Sequence, residues 1–212
     1  MSSIAEKINK IFIILLFMFF ISCASVGKRD YFISEKFSSI AENAVAVLPF
    51  DNESVNLDAE KYMRQEVIKW LIKAGYSPMT SDSVDEKLRE IGVSDGGQLA
   101  AFKPEEISAK LYCRILLYGN IENYIFQNLG FVVRKRVDLY IKAVDGLNGT
   151  VIYEGFGYGD DSKVYFNKKE AEKAFMVNTG VKLASDISNR NLLMGEAVKK
   201  AVEKALYKFP RR

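Results

Sequence analysis

Twenty-seven carboxylates, two cysteines and no histidine set the chemistry open to this chain of 212 residues. Without histidine, the commonest general base and the commonest metal ligand are both missing. Cys113 stands among Leu111, Tyr112, Ile115 and Leu116, a setting that suits a small buried side chain better than a reactive thiolate. The polar run Asp51, Asn52, Glu53 and Ser54 follows an apolar stretch, and two roles fit it. It could be a ligand-binding loop at the carboxyl end of a strand, where open α/β sheets place their sites, or a set of caps for the helix that follows. Capping is the preferred expectation, since carboxylates there also suit the helix dipole; the four residues stand as the candidate binding loop. The pairs Glu105-Glu106 and Asp160-Asp161 read as solvated surface rather than as acid and base. Gly157-Tyr158-Gly159 lacks the following helix and the lysine of a phosphate cradle, so its glycines are expected to ease a strand end. No catalytic residue, metal site or cofactor is expected.

Cys23 offers a different chemistry. Lys7 and Lys10 precede an apolar run over residues 11–21, the charged-then-apolar order of an export signal. The run is too short to span a bilayer, which takes about 20 apolar residues. Ser22 before Cys23, with Ala24 and Ser25 after it, resembles the lipobox at which bacteria cut a precursor and acylate the cysteine; Phe20 departs from the leucine usual there. Residues 1–22 are therefore expected to be a lipoprotein signal peptide, Cys23 the lipidated residue and 23–43 a tether. Several acyl chains on one cysteine anchor stably, because each buried methylene contributes about 0.8 kcal/mol. The first expected partner is thus a membrane. Ala24, in place of aspartate, is the residue usual for transfer to an outer membrane, so the expected location is the cell envelope, at an outer membrane facing the periplasm.

The elements that would position these groups can be placed from periodicity. Residues 44–50 form a continuous apolar run stopped by Pro49, as in a strand covered on both faces. A helix over 58–74 with an apolar stripe ends at Gly75, and residues 76–79 complete a right-handed crossover. A second helix is expected over 83–91, capped by Asp82 or Ser83, and a third opens at Pro104. From Cys113 the period changes to two, and two long half-buried strands alternate through Ile115, Leu117, Ile121 and then Val137, Leu139, Ile141. The turn at 145–149 leads to a third strand over 150–158, completing a meander. Residues 160–191 are long for a connection, with Asn167 able to cap a helix over 168–177; a lid, an arm and an interface stay open for them. A last helix over 192–208 should pack on the sheet.

The fold class is therefore α/β: a mixed sheet, parallel at its start and an antiparallel meander at its end, flanked by helices in one domain over 44–212. Apolar residues make up 49% and charged residues 27%, the balance of a globular chain. The net charge is +3. Lys7, Lys10 and Glu6 contribute +1 of it, leaving +2 after residue 22. That is too little positive charge to hold nucleic acid by counterion release.

The stretches 45–55, 74–76 and 145–154, with the strand near Leu117, resemble the bacterial lipoprotein family typified by the meningococcal surface lipoprotein. Its domain is similar to the amino-terminal domain of TolB and to the curli-secretion lipoprotein. Residues 206–211 resemble the family's closing segment, and residues 52–59 are the most specific part of the match. The resemblance implies a TolB-like fold and a membrane-anchored envelope lipoprotein, binding an envelope protein partner or serving assembly in transport or surface secretion. It implies no enzymatic activity. A self-assembling ring or pore is the alternative, and a hydrolase of envelope polymers a weaker one.

Overall fold

A computed structural model describes residues 31–129, 132–164, 169, 173 and 187–212. The expected signal peptide and Cys23 lie outside these residues, as do most of the 160–191 segment and, apart from helical Lys169 and Lys173, the expected helix over 168–177 capped by Asn167.

Eight strands form one mixed sheet: β1 (Tyr31–Ile33), β2 (Ala44–Val47), β3 (Asp51–Asn52), β4 (Ser77–Pro78), β5 (Ile115–Asn128), β6 (Val132–Asp145), β7 (Thr150–Asp160) and β8 (Lys163–Val164). Their order is β1-β7-β6-β5-β2-β4, with β3 on β5 and β8 on β6. β2 runs parallel to both β4 and β5, whereas β5, β6, β7 and β1 pair antiparallel. This is the expected architecture of a parallel start and an antiparallel meander. Among the elements that lie wholly within the described residues, four helices flank it: α1 (Ala59–Lys73), α2 (Ser81–Arg89), α3 (Pro104–Leu111) and α4 (Ile187–Ala205).

Alternation along the strands sorts their side chains between two apolar layers. Val45, Val47, Ile115, Leu117, Leu139 and Ile141 face α1 and α4, meeting Met63, Val67, Leu71, Ala201 and Val202 in the larger core. Ala46, Leu48 and Leu116 face the other way, onto Val84 and Leu88 of α2 and Ile107 and Leu111 of α3. Cys113 lies in this smaller core. Burial pushes its thiol pKa up, away from a nucleophilic thiolate.

Helix α4 sits on β7 at glycine spacing. A β-carbon at Gly155 would stand 2.0 Å from the Ala205 carbonyl oxygen, and one at Gly159 would stand 1.7 Å from that of Ala197. Alternate glycines on one strand face therefore admit a helix edge bearing alanine every fourth residue. The glycines at 157 and 159 thus seat a helix, a role different from the expected easing of a strand end.

Three boundaries differ from expectation. The tether expected over 23–43 already belongs to the fold from Tyr31: β1 pairs with β7, and a 3₁₀ turn (Glu35–Ser39) buries Phe37. Helix α2 begins at Ser81, after Thr80, so Asp82 and Ser83 lie inside its first turn and do not cap it. Helix α4 starts at Ile187, earlier than residue 192.

Candidate functional site

The site grows from the carboxyl ends of the parallel strands. Leu48 N–H still donates to the Leu117 carbonyl at 2.9 Å, but Pro49 has no N–H to give and the ladder breaks. Phe50 turns its N–H to Glu60 Oε1 at 3.3 Å, and its ring lies on Gly119 of β5, where a β-carbon would meet it at 2.6 Å. The chain then rejoins β5 as β3, Asp51 beside Asn120 and Asn52 beside Ile121.

The four polar residues do not cap α1. Asn52 Oδ1 accepts from Ser54 N–H at 3.1 Å and from its hydroxyl at 2.6 Å, while Asn52 Nδ2 donates to the Asn56 carbonyl at 2.8 Å. Ser54 Oγ accepts in turn from Asn56 N–H at 3.3 Å. Glu53 accepts from Asn120 Nδ2 at 2.7 Å. Asp58 occupies the position before the helix, in helical conformation and with no side-chain cap bond. The capping expectation is corrected: Asn52 and Ser54 fold the loop upon itself, Glu53 ties it to β5, and Asp51 lines the cleft behind it. The loop in turn holds Val55 and Leu57 outward, 99% and 90% exposed.

Behind the loop lies a cleft of about 340 Å³ lined by Pro49, Phe50, Asp51, Leu57, Glu60 and Arg64, with Asp85 and residues 94–97 opposite. A β-carbon at Gly96 would stand 2.3 Å from Asp51 N. Glycine there brings the 3₁₀ turn (Gly96–Ala101) against the backbone of the β2 to β3 connection and closes one wall.

Arg64 is the floor, only 4% exposed. Its Nε and Nη2 donate to the Val47 carbonyl at 3.1 and 2.9 Å, and Nη1 donates to Asp85 Oδ2 at 3.0 Å. Nη2 also lies 2.7 Å from Asp85 Oδ1, and Glu60 Oε1 lies 3.7 Å from Nη1. A buried guanidinium needs such compensation. Burial raises the Glu60 pKa, against the pull of Arg64 and of the Phe50 N–H. With Asp51 and Asp95 also on its walls, the cleft is lined by four carboxylates against one guanidinium, and this net negative charge favours a cationic or hydrogen-bond-donating partner surface.

Sequence reasoning found the loop but missed Arg64, Asp85 and the turn at 94–97. One signal was available: Arg64 falls on the same face of α1 as Met63, Val67 and Leu71. A charge within an apolar stripe needs a tertiary partner. Among the described residues no group of three or more Asp, Glu or Cys side chains converges as a metal site, and no described helix is long and apolar enough to cross a membrane.

A family model, lipoprotein GNA1162-like, matches residues 32–205. The chain belongs to this family. Lipoprotein GNA1162 from Neisseria meningitidis, seen in a crystal structure, is 19% identical, with a TM-score of 0.53 covering 68% of this chain and 99% of that one. A PelC dodecamer from Paraburkholderia phytofirmans is 14% identical at a TM-score of 0.40, covering 78% and 86%. The LpoB carboxyl-terminal domain from Salmonella enterica is 14% identical at 0.42, covering 54% and 80%. No curated protein sequence matches. The GNA1162-like match begins at residue 32, within β1, and takes in the 51–57 loop, the cleft and the glycine seat of α4.

Proposed function

We propose that this GNA1162-like chain is exported, cut before Cys23 and acylated there, and that it acts as a membrane-anchored binding subunit of the cell envelope. Its docking element is the 51–57 loop with the acidic cleft behind it. The observation that carries this reading is the exposure of Val55 and Leu57 on a loop fixed by its own hydrogen bonds. A pre-organised loop loses little conformational freedom on binding, and apolar side chains rimmed by charge suit a partner with an apolar patch bordered by basic groups. The carboxylates nearest the floor, Glu60 and Asp85, balance the buried Arg64 charge, a structural task rather than acid–base work. A pore made from the meander would have to strip α1 and α4 from the strand faces they cover.

Crosslinking with mass spectrometry on native membranes tests the reading. The expected result is a set of crosslinks from residues near the 51–57 loop to one envelope protein. Recovery of the monomer alone, or an unmodified Cys23 in intact-mass measurement, overturns it.

A further inference from the structure

The domain meets its tether at the edge of the sheet. Among the described residues β1 pairs only with β7, Tyr31 opposite Gly155 and Ile33 opposite Tyr153. All three of its residues, Tyr31, Phe32 and Ile33, are exposed. An apolar edge strand left open is a hazard for a protein free in solution.

The carboxyl-terminal end of α4 lies beside this edge. The Ala205 carbonyl oxygen accepts from Tyr153 Oη at 2.6 Å and covers Gly155, two of the three ladder partners of β1. From there the chain turns out Tyr207, 73% exposed, with Lys208 Nζ 4.8 Å from the centre of its ring. One turn earlier, Lys204 Nζ sits 3.4 Å above the ring of exposed Tyr158 on β7. Tyrosines, each with an apolar body and a polar tip, interleaved with lysines have the make-up of side chains at a membrane–water boundary. The carboxylate within this ladder, Glu154, pairs with Phe32 and so lies on the opposite sheet face from Tyr31 and Ile33; Glu35 and Glu203 are exposed nearby in sequence, and the two lysines offset them.

We propose that this edge is a second, non-covalent membrane contact, in which Tyr31, Ile33 and Tyr207, with Lys204 and Lys208, lie on the phospholipid headgroups of the bilayer that holds the anchor. The proposal rests on acylation at Cys23. Seven residues lie between Cys23 and Tyr31, and the eight steps reach at most roughly 28 Å when fully extended, so the edge that receives the tether cannot stand far from the lipid. Lysines attract anionic headgroups, and the aromatic rings enter the interface. The 51–57 loop leaves the sheet at β3, which sits on the far side of β5 from β7 and β1, so it stays open to a partner.

The test uses the acylated protein purified from host membranes. It is reconstituted in vesicles of phosphatidylethanolamine and phosphatidylglycerol that contain a lipid with a diazirine at headgroup depth. Photolabels are expected on Tyr31, on Ile33 and on residues 207–208. In the variant Tyr31→Ser/Ile33→Ser/Tyr207→Ser those labels are lost, while labels next to Cys23 persist. Labels confined to residues before Tyr31, centred on 51–57, or unchanged in the variant overturn the proposal. If the variant does not fold, the label pattern of the unaltered protein decides. Intact mass separates this outcome from failure of the anchor reading. If Cys23 bears no acyl chain, coupling it to a maleimide lipid, which spares the buried Cys113, restores the tether, and the same labels are then required.

Discussion

The carbonyl oxygen of Ala201 lies so close over Gly157 that a β-carbon there would stand 1.9 Å from it. Backbone cannot yield as a flexible side chain does, so Gly157→Ala must lift α4 from β7. The expected loss is about 3 kcal/mol, the upper end of the usual cost of overpacking, read as a lower denaturant midpoint. Gly195, also in α4, has nothing within 4 Å of its would-be β-carbon. Gly195→Ala should therefore stabilise by about 0.5–1 kcal/mol through helix propensity. Opposite signs from the same substitution would establish that the seat, and not glycine content, matters.

Arg114 clasps Asp145 with two bonds of 2.9 Å, from Nε to Oδ1 and from Nη2 to Oδ2, and these hold the Asp145 carboxyl below the usual carboxylate range. A carboxylate with a lowered native pKa contributes stability above its unfolded value; that contribution is lost as the pH falls through the native value. Asp145→Asn should cost about 2 kcal/mol at neutral pH, below the figure for a fully buried pair because Arg114 is partly exposed. The gap between variant and parent should narrow as the solution is acidified below pH 4. Thermal unfolding followed across that range measures it; a gap independent of pH would show that the ion pair is not its source.

Phe209 stands in contact with four other rings: Phe37 at 5.1 Å, Trp70 at 6.1 Å, Tyr76 at 5.4 Å and Tyr153 at 4.9 Å between centres, all edge to face. Phe209→Ala should cost about 3–5 kcal/mol. The near-ultraviolet signal of Trp70 should weaken with it.

Val55→Ser and Leu57→Ser should leave stability within about 0.5 kcal/mol, since neither side chain is packed. Crosslinks to the envelope partner should disappear in the double variant. Persistence of those crosslinks would move the docking surface elsewhere.

The long elements were legible because they repeat. α1 and the three meander strands each run through several periods of 3.6 or two, and burial of one face suffices to fix them. The short ones were not. β1 has three residues, and its place depends on Gly155 and Tyr153, more than a hundred positions away. The loop at 51–54 was correctly singled out as polar, but side-chain oxygens can close a turn as readily as cap a helix, and the choice was made by β5, which accepts Glu53 N–H at Ile121. Arg64 was the hardest. Its partners Val47 and Asp85 lie 17 and 21 residues distant, and only the folded crossover brings them to it. Glycines at 155, 157 and 159 were visible as a period of two, but their meaning needed the helix that fills them.

The ring cluster around Phe209 joins segments that are almost the whole length of the domain apart. Phe37 precedes every long strand and Phe209 follows α4, so this part of the core cannot close until both ends of the domain are free to meet. Contacts of such separation form slowly. If the chain is threaded across a membrane, as the proposed function holds, that delay keeps it loose while in transit and lets it gather itself on arrival.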